Sequence, residues 1–276
     1  MDDDTLARKQ RGDRLMWLTT HRVFYAGLLG PVRERVLGGW SIYVSARAGE
    51  PLRVCIGGGA WQEGELLVVP PHVPCRVASS GPLVLNLLIE SESVEPARLP
   101  LFLQSCGFVH APVFVEQVRV AHRRLLAASG RESFEQFDFD DVFFGQRLAP
   151  RPLDARIATV VDRINADPAA TASAEEFARS VSLSFSRFLH LFKDETGVTF
   201  RAFRAWKRAR SLLRHVRQPA RLTDIALDTG YPDSTHFSHS IRQVYGLRPS
   251  EILAGSRRLA LHDDVNLARA ARVAMH

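Results

Sequence analysis

The chain has 276 residues, of which 46% are hydrophobic, and a formal net charge of +6 at neutral pH. This length and hydrophobic content suffice for two ordinary cores, so we expect two domains. Apolar stretches long enough to span a membrane are absent, and the sequence opens with the acidic Met1-Asp2-Asp3-Asp4. It therefore predicts a cytoplasmic protein with neither a membrane span nor an export signal.

Short apolar runs separated by Gly- and Pro-rich turns characterise the sequence from Val23 to Ile89. The four clearest runs are Ser41–Val44, Leu52–Ile56, Glu65–Val69 and Leu83–Ile89. Strands at this spacing predict a small all-β barrel or sandwich. The three cysteines of the chain, Cys55, Cys75 and Cys106, form no CxxC motif, which favours reduced thiols over disulfides or a zinc site.

A helix is predicted over Val113 to Leu126, with one apolar stripe formed by Phe114, Val118, Ala121 and Leu125. This stripe could pair two subunits or pack on the chain's own barrel, and the sequence leaves both readings open. An aromatic cluster follows, and it is more typical of core or interdomain packing than of a cofactor site; its members are Phe134, Phe137, Phe139, Phe143 and Phe144. The segment Arg147 to Arg151 reads as a linker.

The first of two similar motifs begins at Ser173, which with Glu176 forms a capping box, the pattern of a helix N-terminus. A second helix is predicted from Ser184, in which Phe185, Phe188 and Phe192 follow the spacing of a buried stripe. Polar side chains lie towards its other side. A first helix, a tight turn and a second helix with one apolar and one polar face together form the pattern of a helix-turn-helix.

The second motif spans Leu222 to Ser250. Its first helix carries Ile225, Ala226 and Leu227 and ends before Gly230, which can adopt the positive φ of a tight turn. The next helix is predicted to start at Asp233, to bury Phe237, Ile241 and Val244, and to end at Gly246.

A basic helix joins the two motifs. Its apolar residues keep helical spacing for about five turns, or roughly 25 Å. They are Phe200, Phe203, Trp206, Ala209, Leu213 and Val216. Such a rod could set two recognition helices about one DNA turn apart on one face. Charge supports this partner: residues 1–150 carry 16 basic and 17 acidic residues (−1), whereas residues 151–276 carry 20 and 13 (+7).

The paired motif resembles the AraC/XylS family of bacterial transcription regulators. The resemblance rests on IALDTGYPDSTHFSHSIRQVYGLRPSE, on FARSVSLSFSRFLHLFKDETG and on the connecting RAWKRARSLL. It covers roughly Asp154 to Leu253. Ser182 stands where the family often has Gly, and His190 and His239 stand where many relatives have Arg.

Carried over position by position, the resemblance implies two sets of DNA contacts. The base-facing positions fall on Ser186, Leu189, His190, Ser234, Thr235, Ser238 and His239. The phosphate contacts, which position a protein without specifying sequence, fall on Arg187, His236 and Arg242. Taken alone, each of these side chains would be read as part of a solvated helix face.

The N-terminal half resembles the cupin-like sensor domain that often precedes this DNA-binding pair, through the turn Val69 to Pro74. The barrel segment contains only His21 and His72 and no HxH motif, so we predict no metal, no cofactor and no catalytic residue. A pocket for a small effector would then rely on apolar walls with a few polar groups. The candidate pocket residues are Trp40, Tyr43, Arg53, Cys75 and Arg76.

The sequence thus predicts a cupin-like sensor domain over residues 1–110, a helical dimerisation or linker region over 111–150, a double helix-turn-helix domain over 151–255 and a tail over 256–276. The function predicted is sequence-specific transcription regulation, with promoter DNA, a small effector, a second subunit and RNA polymerase as partners. Two alternatives remain: a non-specific architectural DNA-binding protein, and a cupin-type enzyme with a basic helical tail. The enzyme is disfavoured because the sequence has no metal-binding cluster, no paired acid and base and no nucleophile motif.

Overall fold

The structure is a computed structural model that describes residues 13–129, 134–216, 220–256 and 259–263. Within these ranges, eleven β-strands and nine α-helices build an N-terminal β-sandwich and a C-terminal helical domain. The predicted fold class is therefore confirmed.

The strands form one sheet of seven and one of four. Their bounds are β1 Leu15–Leu18, β2 Arg22–Gly27, β3 Glu34–Arg35, β4 Gly39–Ser45, β5 Leu52–Ile56, β6 Trp61–Gly64, β7 Leu66–Val69, β8 Cys75–Ser79, β9 Val84–Glu90, β10 Gly107–Phe108 and β11 Ala260–Asp263. The large sheet has the order β10-β7-β4-β9-β2-β1-β11 and the small sheet the order β3-β8-β5-β6. The four predicted runs correspond to β4, β5, β7 and β9.

The seven-stranded sheet is buried on both faces, which is why β4 shows no polar alternation. On one face, Ile42 and Leu87 pack against helices that follow the barrel. On the other, Tyr43 and Leu67 pack against the small sheet, while a neighbouring part of the face packs against the helical domain. Every predicted barrel run therefore contributes to a core that the chain fills with its own side chains.

Nine helices are described. Their bounds are α1 Pro112–Ala128, α2 Phe139–Phe144, α3 Ala155–Ala166, α4 Ala174–Ser180, α5 Phe185–Thr196, α6 Phe200–Ser211, α7 Leu222–Asp228, α8 Ser234–Tyr245 and α9 Pro249–Ser256. The predicted stripe of α1 packs on the chain's own sheet, and the phenylalanine cluster around α2 belongs to the same core. The stripe is therefore used within the chain.

Helices α4 and α5 form the first helix-turn-helix. Ser173 and Glu176 make both hydrogen bonds of the capping box, and Ser184 caps α5. Phe188 and Phe192 are fully buried as predicted, but Phe185 is 44% exposed. The prediction for Phe185 was wrong because this residue occupies the first position of α5, where the helix begins beyond the edge of its core.

Helices α7 and α8 form the second helix-turn-helix. Asp233 caps α8 by accepting hydrogen bonds from two backbone amides, and Gly246 ends it in the left-handed conformation. Ile225 and Ala226 are fully buried, whereas Leu227 is 61% exposed, contrary to the predicted face. Thr229 takes the buried place instead, because its hydroxyl can donate to the Ile225 carbonyl within the same helix.

Helix α6 joins the two motifs and is shorter than predicted. It ends at Ser211, and residues Leu212–His215 continue as a 3₁₀ turn. The 12 residues of α6 rise by about 18 Å. The predicted rod of five turns therefore consists of three helical turns and one tighter turn.

The turn between α4 and α5 is strained at Ser182, which has a φ of 56°. The left-handed conformation costs a residue with a Cβ about 1–2 kcal/mol, whereas glycine adopts it freely. The corresponding turn of the second motif places Gly230 at a φ of 80°. Ser182 therefore holds the glycine position of the first turn at an energetic cost.

We expect Ser182→Gly to raise the free energy of unfolding by about 1 kcal/mol, since relief of strain exceeds the added entropy of the unfolded chain. Denaturant unfolding followed by circular dichroism measures it. The matched control is Ala205→Gly, an exposed position inside α6, which should instead lower stability by about 1 kcal/mol. A loss of stability in Ser182→Gly would contradict the strain.

Candidate nucleic-acid interface and interdomain contacts

The outward face of α5 carries the predicted contacts of the first motif. Ser186, Arg187 and His190 are exposed. Leu189 is half-buried and packs at the edge of the first motif's core. The first recognition face is therefore a small polar surface with one partly apolar position.

The outward face of α8 carries the predicted DNA contacts of the second motif. Thr235, His239 and Arg242 are exposed, whereas Ser234 and Ser238 are half-buried. The exposed His236 lies beside the helix start, and its Nδ1 is 2.8 Å from Asp233 Oδ2. The hydrogen bonds that Asp233 accepts from the His236 amide and side chain lower the pKa of its carboxyl. His236 thus belongs to the cap of α8 as well as to its surface.

Helix α6 holds the two motifs together because it contributes to both of their cores. Phe200 and Phe203 pack with Phe188 and Phe192 in the first core. Further along the same helix, Ala209 packs with second-core residues that include Ile225, Phe237 and Ile241. The relative placement of the two recognition helices therefore depends on α6.

The basic side chains of α6 are largely used inside the protein, although the sequence suggested a basic surface. The Arg204 guanidinium donates to the carbonyls of Ala172 and Ala170, and Arg208 also donates to the Ala170 carbonyl. Lys207 and Arg210 are 3% and 6% exposed. The excess positive charge of the C-terminal half is thus a poor measure of the charge that a DNA duplex would meet.

Lys207 and Arg210 take part in a buried charge cluster with the N-terminal domain, which we call the clasp. The Lys207 ammonium donates to Glu90 Oε2 at 2.8 Å and to Glu92 Oε1 at 2.5 Å. Arg210 Nε lies 2.5 Å from Glu90 Oε1, as an ion pair whose N–H is poorly aligned with that oxygen. Two carboxylates thus neutralise two cations, which a buried site requires.

Trp206 completes the clasp. Its indole Nε1 donates to Glu90 Oε2 at 2.7 Å. Its ring lies so close to the backbone of Gly38 that a Cβ at that position would clash with the indole. Burial alone would raise the pKa of Glu92, but the charge and hydrogen bond of Lys207, with the nearby His21, outweigh it and hold that pKa well below its usual range.

The second helix-turn-helix also contacts the N-terminal domain directly. The Val36 amide donates to the Val244 carbonyl at 3.0 Å, and Gly246 lies against the backbone of Glu34. His190, Thr235 and His239 nevertheless remain exposed. Docking of the two domains therefore leaves both recognition faces open to solvent.

A cavity of about 400 Å³ lies between the domains. On the sheet side it is lined by Met16, Val23, Tyr25, Tyr43, Val84, Asn86 and Leu88. On the helical side it is lined by Leu213, Tyr245, Leu247, Glu251, Ile252, Gly255 and Ser256. Its volume and largely apolar lining are typical of sites for small molecules.

Arg35 is the charged group that stands out in this lining. It is 6% exposed, its Nε and one of its Nη atoms lack hydrogen-bond partners, and no carboxylate lies within ion-pair distance in the described ranges. The Tyr43 hydroxyl beside it also lacks a partner. Burial raises the pKa of Tyr43 to about 12, although the Arg35 charge opposes the shift. Such unpaired groups need an explanation, since a buried donor is normally bonded.

The predicted pocket residues do not come together. Tyr43 lines the cavity, whereas Trp40 belongs to the core between the large sheet and α1. Cys75 is buried between the two sheets, and this burial raises the pKa of its thiol to about 11. Arg53 and Arg76 are exposed on the outside of the small sheet, where both approach the Trp61 ring. Sequence reasoning missed Arg35, which lies in the short strand β3 beside the charged Glu34, so its burial leaves no local sequence signal.

Two kinds of site are absent from the described part of the chain. No group of three or more His, Cys, Asp or Glu side chains there could hold a metal ion. None of the helices described is both long and apolar enough to cross a membrane.

Comparisons with known proteins bear on both domains. Residues 177–255 match the family described as helix-turn-helix domain. The apo form of a ToxT point variant from Vibrio cholerae strain SCE256 aligns over 86% of this chain and 98% of its own, at 11% identity and a TM-score of 0.57. ToxT from V. cholerae O395 aligns over the same shares, at 9% identity and a TM-score of 0.53. Unsaturated fatty acid bound wild-type ToxT from strain SCE256 aligns over 86% and 96%, at 11% identity and a TM-score of 0.51. Curated protein sequences give no significant match.

The helix-turn-helix domain match over residues 177–255 supports a DNA-binding transcription regulator. The ToxT likeness extends over most of the chain at the level of fold. The paired motif and the matched helix-turn-helix domain support the resemblance of this part of the chain to AraC/XylS-family regulators. These matches favour a regulator over an enzyme.

The clasp generates a test of interdomain coupling. Lys207→Met would leave two buried carboxylates with Arg210 alone, and we expect it to lower the free energy of unfolding by about 3–5 kcal/mol. Denaturant unfolding measures the loss. Addition of Glu92→Gln should recover part of it, so that the two changes couple by more than about 1 kcal/mol in a double-mutant cycle.

The matched control for the clasp is Arg201→Met, an exposed position on α6, which should change stability by less than about 0.5 kcal/mol. Purely additive effects of Lys207→Met and Glu92→Gln would show that the two charges do not depend on each other.

Proposed function

We propose that the protein is a sequence-specific transcription regulator that binds promoter DNA through α5 and α8 and responds to an amphiphilic anion bound between its domains. The observation that carries the DNA part is that the two recognition faces are exposed while one helix, α6, belongs to both cores. A double helix-turn-helix so joined can present two helices to successive major-groove segments.

The exposed side chains support two kinds of DNA contact. Ser186, Leu189 and His190 on α5, and Ser234, Thr235, Ser238 and His239 on α8, are proposed to face base edges. Arg187, His236 and Arg242 are proposed to bind phosphates. The half-burial of Ser234 and Ser238 fits short side chains that hydrogen-bond only when the helix enters the groove closely.

Selection of bound sequences from random duplex DNA, followed by footprinting at about 0.15 M salt, tests this proposal. We expect a bipartite motif with segments about one helical turn apart. Ser238→Glu should abolish it, because a carboxylate would meet the DNA backbone's negative charge. Arg242→Gln should weaken binding to all sequences and reduce the slope of log K against log salt by about 1.

The matched control for these DNA contacts is Arg53→Gln, which removes an exposed charge from the small sheet and should leave binding unchanged. Salt-sensitive binding without a preferred sequence would instead support the architectural alternative.

The effector part of the proposal rests on the interdomain cavity. Its lining combines apolar side chains from both domains with the buried, unpaired Arg35 guanidinium. An anionic head group on an apolar chain would satisfy Arg35 and Tyr43 and fill the rest of the cavity. The fold match to ToxT bound to an unsaturated fatty acid supports this class of ligand. A ligand in contact with both domains can shift the equilibrium between docked and undocked states.

Oleic acid and methyl oleate distinguish the head group from the chain. We expect Arg35→Gln to weaken binding of the acid by about tenfold or more, as loss of a charged hydrogen bond implies, and to leave the ester unaffected. Isothermal titration calorimetry measures both affinities. Arg47→Gln, which removes an exposed arginine of the N-terminal domain, is the control. Equal binding of acid and ester by the parent would contradict the assigned role of Arg35.

The proposal also includes pairing of two subunits through the outer face of α1, as the family resemblance implies. Val113 and Val120 are 82% and 49% exposed on that face. The predicted stripe itself is engaged in the chain's own core, so these outer valines are the apolar groups that α1 still offers. The contact with RNA polymerase stays a prediction of the resemblance.

A further inference from the structure

The chain returns to the N-terminal domain after its last helix. Residues 260–263 form β11, which pairs in parallel with β1 in the register Leu15↔Ala260 to Leu18↔Asp263. The Ala260 amide donates to the Arg14 carbonyl at 3.2 Å. All the other strand pairs described are antiparallel. The segment 259–263, which we call the strap, thus adds a strand from the far end of the described chain to the sensor sheet.

Side chains anchor the strap on both sides. Leu259 is 3% exposed and packs with Leu261 in the interdomain core beside Met16 and Leu18. On the opposite side, the His262 ring stacks on Phe134 with a centroid distance of 3.7 Å and an interplanar angle of 9°. The strap is therefore held by packing as well as by backbone hydrogen bonds.

Helix α9 lies directly before the strap and covers the interdomain cavity. Glu251, Ile252, Gly255 and Ser256 of this helix line the cavity. Apart from its packing, α9 is joined to the N-terminal domain by one ion pair, Arg33 to Glu251 at 3.4 Å, in which both side chains are well exposed. Exposed pairs of this kind contribute little. The strap begins three residues after Ser256, and it attaches this end of the chain to the N-terminal domain more strongly than the Arg33–Glu251 ion pair does.

We propose that α9 is a lid over the interdomain cavity and that the strap is its latch. Release of β11 from β1 frees the C-terminal end of α9 and opens the cavity, and docking of β11 closes it. The role of the cavity as an effector site rests on the proposed function. By linkage, a ligand that contacts α9 in the closed state also stabilises the docked strap.

The test measures access to the cavity without any effector. Leu88 lines the cavity and is 5% exposed, so Leu88→Cys places a thiol inside it. The rate of its alkylation by N-ethylmaleimide, read by peptide mass spectrometry, reports opening separately from Cys55, Cys75 and Cys106. We expect Leu261→Asp, or deletion of residues 257–276, to raise this rate by about tenfold, as expected for a local opening.

Deletion of residues 264–276 is the matched control, because it keeps the whole strap, and it should leave the alkylation rate unchanged. Ala260→Pro provides a milder variant that removes only the hydrogen bond to Arg14. In these variants hydrogen exchange should show that β1 loses protection while β4 keeps it, which separates release of the strap from unfolding. An unchanged alkylation rate in variants whose β1 has lost protection would overturn the latch.

The two proposals fail separately. If the parent protein binds neither oleic acid nor its ester, the effector proposal falls, while the alkylation rates still decide whether the strap controls the cavity. If oleic acid binds, strap variants should also release it about tenfold faster than the parent, because the lid then opens more often.

Discussion

Helix α6 is the element on which the rest of the arrangement depends. It supplies apolar residues to both helix-turn-helix cores, so it sets the placement of α5 relative to α8. The same helix presents Trp206, Lys207 and Arg210 to the N-terminal domain. One helix therefore links the outward faces of α5 and α8 to the large sheet, so a change at the sheet has a direct physical route to both helices.

The clasp suits the proposed separation of the two domains. A buried ion pair adds little stability compared with apolar packing, because its charges lose hydration. When the interface opens, Glu90, Glu92, Lys207 and Arg210 regain that hydration, whereas separated apolar surfaces would gain nothing. The apolar cluster around Leu37 and Val216 holds the same interface closed. The balance between the two sets the cost of separation, and the proposed ligand in the cavity would add to the closed side.

The sequence was most informative where local patterns decide the structure. The capping residues Ser173 and Asp233 and the glycines at 230 and 246 marked the motifs, because caps and positive φ angles depend on neighbours along the chain. Burial at helix ends was less predictable: Phe185 and Leu227 fit the periodic stripe but lie beyond their cores. The clasp, the strap and the cavity could not be predicted, because each joins residues from different domains.

The same limit explains why the basic residues of α6 suggested an exposed basic surface, although most of them are used inside the protein. Periodicity separates the faces of a helix, but it cannot tell a face that meets DNA from one that meets a carboxylate of another domain. Arg204, Lys207 and Arg210 bind carbonyls and carboxylates inside the protein. The proposed DNA contacts therefore lie on α5 and α8, whose outward faces are exposed, and not on α6. Because α9 and the strap follow α8 in the chain, the proposed closure of the cavity would be coupled to the placement of α8 through covalent continuity and shared packing.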